Sequence, residues 1–246
     1  MKKLFAIVGR EWRAYFLSPL GYVILAAFLL VNGYIFSFIV NYLNSPGTPK
    51  GQALQYLFTN SFFWFYTLFI VPIIAMRLFA EERKAGTLEV LLTSPVTETA
   101  VVLGKFLGAL GFYLSLWIPT LVYVAILRGQ TPLDPGPVAA SYLAIALIGG
   151  YFLAVGVFAS TLTKNQIVAA ILTFAMLIVI FSAGLLENLA TDPKRREMLG
   201  YFNLWEHMDE FTKGVVDTRR VVYYLSATAF FLFLTVVSIS AKKETP

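Results

Sequence analysis

Residues 20–42 read LGYVILAAFLLVNGYIFSFIVNY. This stretch carries no charged side chain and is interrupted only by small or amide residues such as Asn32. An α-helix needs about 20 consecutive apolar residues to cross the hydrocarbon core of a bilayer. A helix is also the form that satisfies the backbone in lipid, because its hydrogen bonds are made within the segment. Residues 20–42 therefore predict a transmembrane helix.

The same pattern returns along the rest of the chain. Further apolar runs occupy residues 61–79, 101–127, 138–159, 167–186 and 221–241. Of the 246 residues, 58% are hydrophobic and 13% are charged, with a mean hydropathy of +0.73, whereas a soluble domain has about 25% charged residues. We predict an all-α membrane protein with six transmembrane helices, organised as one transmembrane domain over residues 1–246. Pro72 and Pro119 fall inside two of the runs and require neighbouring groups to cover the carbonyls they free.

The charged and reactive residues narrow the possible functions. The net charge is +5, and the charged residues lie between the apolar runs. The expected partner is therefore the lipid bilayer with its anionic headgroups, rather than nucleic acid. The chain has no cysteine and one histidine, which excludes disulfides, Cys-based metal sites and histidine clusters. We expect His207 in a loop or at the interface. No G-x-x-x-x-G-K-[ST] phosphate loop occurs, and we expect no catalytic residue, metal or cofactor in this chain, which is not an enzyme by itself.

The distribution of cations predicts the orientation. With the N-terminus in the cytoplasm, the first half has an excess of cations inside: Lys2, Lys3, Arg10, Arg13, Arg77, Arg83, Lys84 and Lys105, against Lys50 and Arg128 outside. The second half disagrees, since residues 187–220 carry six cations on the outer side, but acidic residues of the same loop balance them. Because early helices usually dominate, we predict an inner-membrane protein with both termini in the cytoplasm and no cleavable signal peptide.

Residues 1–16 form a separate amphipathic element. Apolar side chains share one arc of the helical wheel and basic side chains the other, which is typical of a helix lying in the membrane interface. We expect an elbow helix here, with Arg10, Glu11, Trp12 and Arg13 as candidate functional residues. It serves either as a membrane anchor alone or also as a contact for a cytoplasmic partner.

Two further patterns concern packing. In the outer loop, Leu204, Met208, Phe211 and Val215 recur at helical spacing and predict an amphipathic helix that rests on the outer leaflet or caps an exit. Small residues allow transmembrane helices to approach closely. Such residues occur at Gly104, Gly108, Gly111, Gly150 and Gly156, and they serve either packing within the subunit or a dimer seam or export path.

Residues 76–96 read MRLFAEERKAGTLEVLLTSPV. After the charged cluster, Gly86 can end one helix and Thr87 can cap the next. Glu89 then lies in the first turn, near the positive end of the helix dipole, and Pro95 ends the helix. We expect a short helix across the cytoplasmic face, the alternative being an ordinary charged loop.

The run from Phe79 to Val96, followed by Leu103-Gly104-Lys105-Phe106, resembles the ABC-2 type permeases of ABC transporters. The likeness is greatest to the permeases of gliding-motility and nitrous-oxide-reductase-maturation systems, and it extends over the whole chain. It implies a homo- or heterodimer of six-helix permease subunits docked on two ATPase subunits, which bind ATP and Mg²⁺. An accessory extracytoplasmic subunit is a further candidate partner.

The resemblance also implies a function and a site. The chain would be the permease subunit of an ABC exporter, with residues 80–96 as the segment that contacts the ATPase. The candidate coupling residues are Glu81, Glu82, Arg83, Gly86, Thr87, Glu89 and Pro95. Two alternatives stay open: a scaffold or channel-like subunit that transports nothing, and an ion-coupled secondary transporter. The second is disfavoured because no Asp, Glu, Lys or Arg is expected deep within a span.

Overall fold

The computed structural model describes residues 2–45, 53–87, 97–130, 133–189 and 192–243. Within these ranges the chain forms α-helices joined by turns and two short 3₁₀ segments, and it contains no strand. The helices are α1 (Lys2–Leu17), α2 (Pro19–Leu43), α3 (Ala53–Phe58), α4 (Ser61–Ala75), α5 (Ala80–Ala85), α6 (Glu98–Trp117), α7 (Leu121–Gln130), α8 (Pro135–Leu162), α9 (Gln166–Leu185), α10 (Pro193–Gly200), α11 (Leu204–Thr212) and α12 (Thr218–Lys243).

Six segments of the described chain are long and apolar enough to cross a membrane. They are Pro19–Leu43, Gln55–Ala85, Glu98–Gly129, Pro135–Leu162, Gln166–Gly184 and Thr218–Ala241. The second segment joins α3, α4 and α5, and the third joins α6 and α7. The predicted all-α fold with six spans is therefore confirmed.

Short polar side chains cap the first turn of several spanning helices. The side chain of Asn60 accepts a hydrogen bond from the Phe63 amide at 2.9 Å, and that of Asn165 accepts one from the Ile167 amide at 2.9 Å. Asp134 caps α8 in the same manner at 3.1 Å. The first amides of a helix have no partner within the helix, so these side chains satisfy them.

The third crossing bends at Pro119. Helix α6 ends at Trp117, a 3₁₀ turn covers Ile118–Thr120, and α7 continues from Leu121. Proline lacks the amide proton that would continue the helical ladder. The Thr120 hydroxyl lies 2.6 Å from the Trp117 carbonyl, to which it donates, and 2.7 Å from the Tyr142 hydroxyl of α8. The break is thus covered by polar groups of the protein itself.

Helix α8 lies at the centre of the bundle. It packs against α4, α6, α9, α11 and α12, and most of its side chains are buried. Gly149 and Gly156 mark close approaches to its neighbours: a Cβ at Gly149 would overlap the Tyr113 ring of α6, and one at Gly156 would overlap the Cβ of Ala75 on α4. We name the two ends of the bundle after helices found there. The α1 end holds α1 and α5, and the α11 end holds α3 and α11.

Helix α11 belongs to the bundle core. Leu204, Met208 and Phe211 are buried against neighbouring helices, which include α8 and α3, so the helix does not simply rest on a leaflet. The prediction for Val215 is wrong, because α11 ends at Thr212 and Gly214 takes a left-handed conformation with φ of +81°. Val215 lies beyond this turn and is exposed.

His207 is not a loop or interfacial residue. It lies within α11 and is completely buried. Its Nδ1 is 2.9 Å from the hydroxyl of Tyr224 on α12, and its ring also packs edge-on against Tyr223. The sequence-based expectation failed because α11 is inserted between other helices, which a local pattern does not reveal.

Candidate functional site

Four charged side chains from three helices meet at the α1 end. Lys105 of α6 places its Nζ 2.8 Å from Oε1 of Glu82 on α5 and 3.2 Å from Oε1 of Glu11 on α1. Arg10 of α1 places Nη2 3.0 Å from the same Glu11 oxygen and 3.7 Å from the same Glu82 oxygen. We call Arg10, Glu11, Glu82 and Lys105 the charge cluster. Its formal charges cancel.

The cluster is graded from buried to exposed. The side chain of Lys105 is 2% exposed, those of Glu11 and Glu82 are 13% and 19% exposed, and that of Arg10 is 57% exposed. A buried charge is tolerated only when it is paired. Lys105, counted from the sequence with the cytoplasmic cations, lies in the second turn of α6, near the start of the third spanning segment.

A row of glycines brings α1 against α6. A Cβ at Gly104 would lie 2.6 Å from Cγ2 of Ile7, and one at Gly108 would lie 2.6 Å from Cβ of Glu11. At Gly111, a Cβ would come within 3.1 Å of the Trp12 ring. The absence of side chains lets the two backbones approach closely. These glycines therefore serve packing within the subunit, and they hold Glu11 beside Lys105.

Tyr15 joins α1 to the end of α4. It is buried, and its hydroxyl donates a 2.9 Å hydrogen bond to the Ile74 carbonyl. That carbonyl lies in the last turn of α4, where carbonyls lack helical partners. The Tyr15 ring stacks on Phe112 of α6 at 4.5 Å, and the Arg77 guanidinium lies 5.0 Å from its centroid. Tyr15 thus contacts three elements of the α1 end.

Helix α5 is fastened on its other side to α8. The Arg83 guanidinium donates a 2.6 Å hydrogen bond to the Thr161 carbonyl. Thr161 lies in the last turn of α8, where a cation also complements the negative end of the helix dipole. Ala80, at the start of α5, is fully buried. The short helix is therefore held between α8 on one side and the charge cluster on the other.

Gly86 ends α5 as the sequence predicts. Its φ is +70°, a left-handed conformation that suits glycine, and its amide donates to the Glu82 carbonyl. The Thr87 hydroxyl also reaches that carbonyl, at 3.4 Å. The helix that Thr87 is predicted to cap falls on residues 88–96. These lie outside the described residues, together with Glu89 and Pro95.

The charge cluster lines a cleft of about 330 Å³ that opens between α1 and α5. Arg77 and Glu81 also line it and pair with each other at 3.6 Å. Glu81 is the more exposed of the two acidic residues of α5. The second oxygen of Glu82, Oε2, is buried and has no hydrogen-bond partner among the described residues. The cleft is thus polar, with an unused acceptor in its wall.

The structure brings part of the predicted site together. Arg10 and Glu11 of α1 meet Glu82 of α5, while Arg83 turns to α8. Arg13 is exposed, and Trp12 packs on α6 rather than on α5. Sequence reasoning missed Lys105 and Tyr15 as members of this site. The available signal for Lys105 was its position beside the glycine row, at the start of an otherwise apolar run.

Four polar side chains within the spans are hydrogen-bonded inside their own helices. Asn32, Thr67, Thr173 and Ser182 each donate to the carbonyl four residues earlier in their own helix. Such local bonds satisfy these groups without a substrate.

Comparison with known proteins agrees with this architecture. The family model described as ABC-2 family transporter protein matches residues 6–241, which is nearly the whole chain. No curated protein matches the chain. The match includes all six spanning segments, α1 from residue 6 and the charge cluster. The chain belongs to the ABC-2 family of transporter proteins, as a multi-pass membrane permease component of an ABC transporter.

Proposed function

We propose that this chain is the permease subunit of an exporter that moves its substrate out across the inner membrane. ATP, with Mg²⁺, is bound and hydrolysed by a separate ATPase subunit that docks at the α1 end. Two permease subunits, identical or different, form the membrane channel. The likeness of residues 79–96 to gliding-motility and nitrous-oxide-reductase-maturation permeases supports a place in a system of that kind.

The proposal places the α1 end in the cytoplasm. The cations of α1 and α5 support this orientation, because cytoplasmic segments near membrane helices are enriched in Lys and Arg. Both termini then lie in the cytoplasm, and the α11 end faces outward, where an accessory subunit could bind.

The observation that carries the proposal is the fixed attachment of α5. It is tied to α1 and α6 through Glu82 and to α8 through Arg83, by bonds of 2.8 Å and 2.6 Å. A partner that pushes on residues 80–96 would therefore move several spanning helices at once. This is what a segment that transmits force from an ATPase requires.

Two variants test the docking surface. Glu81→Lys reverses an exposed charge at the cleft, and Gly86→Pro removes the amide that caps α5 and forbids its positive φ. We expect both to insert normally and to lose co-purified ATPase about tenfold or more in mild detergent, or to leave its turnover unresponsive to the permease. Arg195→Glu, an exposed charge reversal at the α11 end, is the control.

The two alternatives give different results. Normal ATPase recovery and normal coupled turnover in both variants would remove the coupling role from this segment. Failure of the unaltered chain to bind any nucleotide hydrolase would favour the scaffold or channel-like subunit. The secondary transporter is disfavoured by membership in the family.

A further inference from the structure

We propose that Lys105 is a positioning residue that locks α1 and α5 to α6, so that the three helices move as one body. The inference rests on the proposed function, because Lys105 would be the internal contact through which a movement of α5 reaches the third span. The residue itself does not contact the partner.

Two helices share one ammonium group of α6. Lys105 Nζ is within 3.2 Å of carboxylates from two different elements, Glu11 of α1 and Glu82 of α5. Arg10 also reaches both carboxylates, but it is half exposed and lies on α1 itself. It therefore cannot connect either element to α6. In the charge cluster, only Lys105 does so.

The surroundings of Lys105 favour a fixed geometry. Its ammonium lies 5.3 Å from the centroid of Phe79, which immediately precedes α5 and is buried. A buried ion pair of this kind is weakened much less by solvent than a surface pair. The glycine row next to it already fixes α1 against α6. Packing thus holds α1 against α6, and the contact with Lys105 attaches α5 to the same unit.

The attachment of α5 is two-sided. Arg83 binds the end of α8, while Glu82 binds Lys105. Loss of the Lys105 contact would leave α5 held by α8 and by the longer, half-exposed Arg10–Glu82 pair, neither of which connects it to α6. The third span would then no longer follow α5, although the surface of α5 that faces a partner would be unchanged. This separates the lock from the docking surface.

The first experiment measures the release of α5 directly. The chain has no cysteine, so the single variant Ala80→Cys places one buried thiol at the start of α5. In this background we compare Lys105→Met, Glu82→Gln and their double variant by the rate of maleimide labelling in detergent. Each should label about tenfold faster or more than the parent, because each breaks the same buried pair.

The double variant provides the decisive comparison. If the two residues act as one contact, the double variant labels within about threefold of either single variant. Two results would overturn the proposal. One is a double variant whose increase in labelling rate equals the product of the two single increases. The other is a parent-like labelling rate in Glu82→Gln, which retains Glu11 as a partner for Lys105. Lys164→Met, an exposed cation on the link between α8 and α9, is the matched control and should label as the parent does.

The second experiment uses the permease with its co-purified ATPase. Lys105→Met should retain ATPase binding and reduce the permease-dependent change in kcat at least fivefold, with KM for ATP unchanged, because the nucleotide site lies on the partner. A normal change in kcat together with faster labelling would overturn the role of Lys105 in coupling. If no ATPase binds the parent chain, the proposed function fails, while the labelling rates still decide whether the lock exists.

Discussion

Among the residues that the structure describes, Lys105 and His207 are both buried, but their surroundings differ. Lys105 is surrounded by two carboxylates and a guanidinium neighbour at the α1 end. His207, at the α11 end, lies 2.9 Å from the Tyr224 hydroxyl, and the Gly200 backbone and Asp217 also favour a charged ring. Burial and the charge of Arg220 outweigh these influences, so a charge on His207 is disfavoured.

His207 should make stability depend on pH. Burial, helped by the nearby Arg220, lowers the pKa of His207 from 6.5 to about 3. The unfolded chain then binds more protons than the folded one between these values, so stability rises with pH in that window. Below pH 6.5 the protein should lose about 1.4 kcal/mol of stability per pH unit through this residue, with no such loss above it.

The comparison that checks this uses His207→Gln, which keeps a polar side chain near Tyr224 but does not titrate. We expect the thermal midpoint of the parent in detergent to fall more steeply from pH 7 to pH 5 than that of the variant. Tyr223, Asp217 and Arg220 are present in both proteins, so their contribution cancels in the difference. Parallel curves for the two proteins would contradict the assignment.

At the scale of helices, the contact between α1 and α6 is the clearest departure from a simple elbow. An interfacial helix would bury its apolar face in lipid. Here Ile7, Glu11 and Trp12 lie against three glycines of α6 instead, while Phe5 and Leu17 are exposed. The contact between α1 and α6 leaves almost no space for a side chain, so one added methyl group should destabilise it.

Gly108→Ala tests this contact. The new Cβ would lie 2.6 Å from Cβ of Glu11 and 3.2 Å from the Val8 carbonyl oxygen, so α1 must shift. We expect a loss of about 1–3 kcal/mol of stability from overpacking, measured as a lower thermal midpoint.

The matched control is Gly9→Ala on α1, where a Cβ meets nothing within 4 Å. That variant should be neutral or slightly stabilising, because alanine favours the helix by about 0.5–1 kcal/mol over glycine. If Gly108→Ala is as stable as Gly9→Ala, the close packing of α1 on α6 is wrong.

At the scale of the whole molecule, the proposed orientation can be tested with single cysteines. The structure offers exposed positions that cap no helix: Gly129 and Arg195 at the α11 end, and Lys84 and Lys164 at the α1 end. We expect the first two, changed to Cys, to react with a membrane-impermeant maleimide from outside intact cells. The second two should react only after lysis, and labelling of Lys84→Cys from outside would invert the orientation.

The sequence by itself determined the six spans, because lipid demands long apolar runs and because every backbone hydrogen bond of such a run is local. It also determined the end of α5 at Gly86, since a left-handed cap depends on one residue and its neighbours. The segment around Glu81 and Glu82 was recognisable for the same reason, as its pattern is contiguous.

Only the tertiary structure decided what these elements contact. Lys105 and Glu11 are 94 positions apart in the chain, yet their charges meet at 3.2 Å. Likewise, α11 has the pattern of a surface helix, but it lies inside the bundle and buries His207. Hydropathy records how apolar a segment is, but not the register and angle at which helices cross. Those are set by packing between distant residues, such as the glycines of α6 against α1, and they placed a buried lysine between two carboxylates.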